Sequence, residues 1–352
     1  MNMRMTFRWY GEDDPVTLDK IEQIPCMDGI VSAVYDTPVG SVWSEESIDK
    51  IKRQAQEHNL KFEVVESVPV HEDVKLGAKG ADKLIDVYKE NIVRLGRAGV
   101  KCVCYNFMPV FDWLRSELKK PLADGSNALA YDHKTVLAMN PLTSELSLPG
   151  WDSSYTKEGM KELLHRYESV DEETLWKNLT VFLKEVVPVA EQADVKLAIH
   201  PDDPPWSMFG LPRIVTNKEN LRRLLDIVDS PYNGLTLCTG SLGVNPENDV
   251  ADMLKTFAGR TPFVHLRNIK ITGKQCFEES GHISVKGSLD MYKIVKTLYD
   301  TGFDGWVRPD HGRMIWGEQG RAGYGLYDRA LGAMYLYGLA EAVSGGYKKE
   351  DK

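Results

Sequence analysis

The sequence predicts an α/β fold, a (β/α)8 or TIM barrel built as a single domain over residues 1–352 with an insertion after its fourth strand. Three observations lead there. Short apolar runs alternate with amphipathic helical stretches, the pattern of parallel strands joined by crossover helices. Eight such runs can be placed, the number a closed parallel barrel requires. The later runs end in His200, Cys238, His265 and Asp310, side chains able to ligate a metal. Closing a barrel brings the C-terminal ends of its strands into one ring, so these distant residues would meet at one mouth.

Thr6–Tyr10 reads as the first strand, Val16–Ile24 as a brief helix and Gly29–Val34 as the second strand. Ser44 should cap a helix with Ile48, Ile51 and Ala55 on one stripe and Glu45 and Glu46 near its positive end. Lys61–Glu66 is the third strand, followed by a polar loop through Pro69, His71, Glu72 and Asp73. Leu84, Tyr88, Ile92 and Leu95 mark a helix ending near Gly96 or Gly99. Val100–Asn106 is strand four, with Cys102, Cys104 and Asn106 on one face. A Cys-x-Cys pair on a strand reads as packing. From 107 to 170 the rhythm breaks, with Pro109, Pro121, Pro141, Pro149 and a Gly150-Trp151 pair. Excursions of that length are usually functional, so this segment is expected to be a lid over the mouth.

Asp171 then caps a helix striped by Leu175, Leu179, Phe182, Leu183 and Val186, which Pro188 should kink or shorten. Strands Lys196–Ile199, Gly234–Leu237 and Phe263–Val264 lead to His200, Cys238 and His265, with helices over 221–228 and 250–257 between them. A helix over 289–299 precedes strand eight, Gly305–Val307, which Pro309 and Gly312 should stop around Asp310 and His311. The last helix, Tyr327–Ala342, would bury Ala330, Leu331, Met334, Gly338 and Leu339.

A net charge of -9 gives no electrostatic reason to bind nucleic acid. Residues 1–15 lack the apolar core of a secretory signal, and nowhere is a run long enough to span a membrane. Five widely spaced cysteines predict reduced thiols and a cytoplasmic protein.

Two imidazoles, a thiolate and a carboxylate suit a borderline divalent cation better than magnesium or calcium. Their wide spacing favours a catalytic site over a structural zinc site with clustered cysteines. His311, next to Asp310, can serve as an acid or base or merely orient its neighbour. Tyr324 lies in a glycine-rich stretch, 317–325, that matches no phosphate or dinucleotide motif. Arg8, Arg267 and Arg308 stand at or near strand ends, where guanidinium groups can grip a carboxylate.

The strings Arg8-Trp9-Tyr10-Gly11, Glu66-Ser67-Val68-Pro69-Val70-His71-Glu72-Asp73 and Tyr105-Asn106-Phe107-Met108-Pro109-Val110 resemble the mannonate dehydratase family. So do His200-Pro201-Asp202-Asp203-Pro204-Pro205, Cys238-Thr239-Gly240-Ser241, His265-Leu266-Arg267, Arg308-Pro309-Asp310-His311-Gly312 and Gly323-Tyr324. The resemblance implies a barrel that dehydrates D-mannonate to 2-dehydro-3-deoxy-D-gluconate in hexuronate (glucuronate) breakdown and requires Mn2+ or Fe2+. It implies His200, Cys238, His265 and Asp310 as metal ligands and His311 and Tyr324 as the acid/base pair. Arg8, Arg267, Arg308, Asn106 and His71 are the candidate substrate contacts, and a homo-oligomer such as a dimer is expected. The alternatives are a metal-dependent sugar isomerase or epimerase on the same barrel, which needs no carboxylate clamp, and a sugar-acid binding protein without chemistry.

Overall fold

The structure, a computed structural model, describes residues 2–139 and 156–345. Pro141, Pro149, Gly150 and Trp151 lie outside them. In chain order the first half holds β1 (Asn2–Arg8), α1 (Leu18–Glu22), β2 (Gly29–Ser32), α2 (Glu45–Glu57), β3 (Lys61–Glu66), α3 (Glu72–Lys75), α4 (Ala81–Ala98) and β4 (Cys102–Tyr105). The excursion follows, with β5 (Glu117–Pro121), β6 (Asn127–Asp132), α5 (His133–Ala138) and α6 (Lys157–Tyr167), and then α7 (Glu172–Gln192). The second half holds β7 (Lys196–Ile199), α8 (Lys218–Ile227), β8 (Asn233–Cys238), α9 (Thr239–Gly243), α10 (Val250–Phe257), β9 (Phe263–Leu266), β10 (Ile269–Gly273), β11 (Cys276–Glu279), α11 (Met291–Asp300), β12 (Asp304–Pro309) and α12 (Tyr327–Val343).

Eight of these strands close into a parallel barrel in the order β1-β12-β9-β8-β7-β4-β3-β2. β1 starts earlier than its aromatic run suggests because Asn2–Met5 pair with β12, while Thr6–Arg8 pair with β2. Within the barrel, Val31, Val64, Cys102, Cys104, Ala198, Phe263 and Trp306 form one buried cluster, so the Cys-x-Cys pair packs inside. The next level toward the mouth is polar. Register sets Arg308 beside His265, and His265 beside Cys238. The helix caps act as expected: Ser44 accepts from the Ser47 N–H, and Asp171 from the Thr174 N–H.

Several expectations need correction. The loop after β3 is partly helical, because His71 Nδ1 accepts from the Asp73 N–H and caps α3. α7 runs through Pro188 to Gln192. Pro188 and Lys184, four residues before it, are both exposed, so water can serve the carbonyl that loses its partner. β12 continues through Pro309, which pairs with Leu266. In α12, Leu331 and Met334 are exposed, and the buried face is Asp328, Arg329, Gly332, Ala333 and Leu336. The polar members of that face are held there: Asp328 pairs with Arg313, and Arg329 donates to the carbonyls of Tyr324 and Gly325.

A second sheet, β10-β11-β6-β5, is antiparallel. It joins the excursion after β4 to a hairpin after β9 that the sequence reading did not contain. Cys276, Phe277 and Glu278 of β11 pair with Asp132, Tyr131 and Ala130 of β6.

Candidate active site

Four neighbouring barrel strands deliver the candidate ligands. His200 follows β7, Cys238 ends β8, His265 lies in β9 and Asp310 follows β12. His200 Nδ1 lies 2.7 Å from the Pro201 carbonyl, which can only accept, so Nδ1 carries the proton and Nε2 keeps its lone pair. That Nε2 lies 3.1 Å from His265 Nδ1. His265 Nε2 lies 3.3 Å from the Glu66 carboxylate, whose charge favours a proton on that nitrogen, and Nδ1 then offers its lone pair on the side of His200, with Arg308 Nη2 at 3.5 Å as a competing donor. Asp310 Oδ2 stands 3.6 Å from Cys238 Sγ and 3.9 Å from His265 Nδ1. His200, Cys238 and His265 thus form a group able to hold a metal ion. Atoms ~2.0–2.2 Å from a common ion sit roughly 3–3.5 Å apart, so two imidazole lone pairs facing each other at this spacing fit a cation. Glu66 and Cys104 make a second such group with the far side of His265. There Arg308 holds Glu66 at 3.0 Å and supplies a competing positive charge.

Beside this cluster, His311 Nε2 meets the Tyr324 hydroxyl at 2.8 Å. Both side chains are buried. Gly323 presents Tyr324 from φ 78°, a conformation that favours glycine, and accepts from the Gly312 N–H. Leu129 of β6 occupies the space a side chain at Gly323 would need. Burial, helped by Tyr10 and Asp310, holds the Tyr324 proton well above the usual phenol range. Burial opposes the charge on Asp310, but Arg308, His311, His265 and Arg267 outweigh it and keep the carboxyl well below the usual range.

Both groups border one cavity of about 500 Å³, reached by His200, Asp310, His311 and Tyr324. Arg8, Arg267, Arg308 and Asn106 line it too. Arg308 is 1% exposed, and its Nε and Nη1 have no hydrogen-bond partner among the described residues. Arg8 donates to the Glu66 carbonyl and lies over the Tyr10 ring. Arg267 is committed to protein partners, Asp203 at 2.8 Å and Asp310 at 3.3 Å. His71 lies outside this lining.

The family model for D-mannonate dehydratase (UxuA) matches residues 3–350. The chain belongs to the D-mannonate dehydratase family. It is 55% identical over 344 residues to mannonate dehydratase 2 of Halalkalibacterium halodurans, covering 97% of this chain and all of that protein. It is 54% identical over 354 residues to the mannonate dehydratase of Thermotoga neapolitana, covering 97% and 98%. The crystal structure of mannonate dehydratase from Streptococcus suis serotype 2 superposes with a TM-score of 0.92 at 46% identity over the whole of both chains. A D-psicose 3-epimerase from Clostridium cellulolyticum H10 shares the fold alone, at 15% identity and a TM-score of 0.56 over 97% of each chain.

Around the mouth of this family member stand residues the sequence reading passed over. Trp113, from the root of the excursion, lies against the His311 ring at 4.9 Å between centroids. Arg115 makes a two-pronged contact with Asp203 at 2.8 and 3.1 Å and reaches Glu279 at 2.8 Å. Glu279 Oε1 lies 3.1 Å from His311 Nδ1. Burial opposes its charge, but Arg267, Arg115 and His311 bring its carboxyl down to about 2. No local pattern marks these side chains, because each is brought to the site by the second sheet or by a loop packed under it. Among the described residues no helix is long and apolar enough to cross a membrane.

Proposed function

We propose that this chain dehydrates D-mannonate to 2-dehydro-3-deoxy-D-gluconate and water, within hexuronate breakdown. The observation that carries the reading is the pairing of a metal-competent cluster with a buried His311–Tyr324 contact on one cavity. His200, Cys238, His265 and Asp310 would hold Mn2+ or Fe2+. A cation there supplies positive charge beside the substrate carboxylate, lowering the cost of removing the C2 proton. Arg308, two of whose guanidinium nitrogens have no partner among the described residues, and Arg8 orient that carboxylate. His311 and Tyr324 divide the proton work, one taking hydrogen from C2 and the other protonating the C3 hydroxyl as it leaves. Asn106 lines the substrate's path, and Arg267 serves the site through its carboxylate partners. His71 drops out of the substrate contacts in this reading, since its ring caps α3.

The described start of the excursion helps wall the mouth within a single domain, as Met108 and Trp113 in the cavity lining support. Exposed Trp316, Leu331 and Met334 favour a homo-oligomer, and five free cysteines favour a cytoplasmic setting.

Incubation with D-mannonate in deuterated water, after chelation and with or without added Mn2+, tests the reading. Loss of water leaves an enol that takes a solvent deuteron at C3 as it becomes the keto acid, so the product should carry deuterium there. Turnover should collapse after chelation and return with the ion. An enzyme that instead interconverts neutral aldoses and ketoses, leaving D-mannonate untouched, belongs to the isomerase alternative.

A further inference from the structure

His311 Nδ1 lies between two groups that ask opposite things of it. Glu279 Oε1, at 3.1 Å, can only accept, and Arg267 Nη1, at 3.0 Å, can only donate. If the carboxylate prevails, Nδ1 carries the hydrogen and Nε2 presents a lone pair to Tyr324. If the guanidinium prevails, Nε2 carries the hydrogen and points it at the phenol.

We propose that Glu279 is a positioning residue for the reaction assigned above, fixing His311 with its hydrogen on Nδ1 and its lone pair on Nε2. Three observations favour the carboxylate. Glu279 is fully buried, so it has no water to accept from. Its Oε1 facing an imidazole lone pair would set like against like in a dry site. Arg267 gives up less, since its Nη1 also has Asp310 Oδ2 at 3.3 Å and its Nη2 donates to Asp203 at 2.8 Å. Arg115, held by Asp203, fixes the same Glu279 oxygen at 2.8 Å and keeps the carboxylate aimed. A carboxylate behind one ring nitrogen is a general way to set the tautomer and orientation of a working imidazole. The carboxylate comes from the last residue of β11, so the second sheet helps build the site as well as covering it.

The inference rests on the dehydratase reading for its consequence, but its first test does not involve turnover. Proton–nitrogen correlation spectra of ring-15N-labelled histidines in the full chain, metal-free and loaded with diamagnetic Zn2+, report the tautomer, with His311→Asn assigning the signal. We expect Nδ1–H in the unmutated protein and a shift toward Nε2–H in Glu279→Gln. The same variant should lose on the order of 10²-fold in kcat while KM and bound metal stay near normal. A His311 found as Nε2–H, or a tautomer indifferent to Glu279→Gln, overturns the proposal. So does a Glu279→Gln defect confined to KM or metal content. The unmutated spectrum decides even if that variant fails to fold. Failure of the unmutated enzyme to consume D-mannonate would count against the dehydratase reading alone.

Discussion

The two sides of the cavity are built by different means. On one side, His200, Cys238, His265 and Asp310 come from the ends of four adjacent barrel strands, and strand register alone sets His265 beside Cys238. On the other, His311 and Tyr324 sit on loop backbone and are supported by Trp113, Arg115 and Glu279 from outside the barrel. The first side is a product of regular geometry, and the second depends on how the excursions pack. Substitutions should therefore separate them, with ion binding lost on one side and chemistry or stability lost on the other.

The largest effect should come from the pair Tyr324→Phe and Cys238→Ser. Removing the hydroxyl should lower kcat by about 10²–10⁴-fold, while elemental analysis finds metal retained. Removing the thiolate should weaken metal binding by more than the ~10–100-fold typical of losing a ligand's supporting partner. A Tyr324→Phe enzyme that turned over normally, or a Cys238→Ser protein with full metal occupancy, would erase the division between the two sides.

That division also tracks what could be read in the sequence. Each candidate ligand on the proposed metal side ends an apolar run, so barrel closure brings the four together without knowledge of any loop. His311 stands out as a candidate in the sequence because it adjoins Asp310, and Tyr324 mainly through resemblance to the family. Glu279 was invisible. It ends a four-residue strand, Cys276–Glu279, whose sequence Cys-Phe-Glu-Glu has too few apolar positions to announce a strand. The strand is fixed by pairing with β6, nearly 150 residues earlier. The buried face of α12 is hidden for a related reason: hydrophobic spacing points to Leu331 and Met334, whereas Asp328 and Arg329 are turned inward by ion-pair and carbonyl partners.

Next in size is Arg115→Met. Arg115 is buried between Asp203 and Glu279, and its loss leaves two carboxylates sharing Arg267. Breaking a buried pair by removing one partner typically costs about 3–5 kcal/mol, which chemical denaturation would register. The metal side should keep its ion in the folded fraction. A stability change below about 1 kcal/mol would mean that the excursion is held by its apolar contacts, and that the ion network contributes little.

The smallest effect is a response to acid, and its sign follows from the same network. The Glu279 carboxyl is lowered from 4.5 to about 2, and Asp203 is also depressed: burial resists its charge, but Arg115 and Arg267 outweigh that cost. A carboxyl whose folded value lies below its unfolded one contributes stability that is fully present above the unfolded value. The contribution is lost as pH falls through the folded one. Unfolding free energy should therefore be insensitive to these groups from pH 7 to about 5, then fall by on the order of 1–3 kcal/mol between pH ~4.5 and ~2. Arg115→Met should flatten that fall, because the guanidinium that favours both charged carboxylates is gone. If the variant kept the same acid slope as the unmutated protein, the slope would have to come from carboxylates elsewhere. The network beneath His311 would then be a matter of shape, with its charges balanced equally in the folded and unfolded chain.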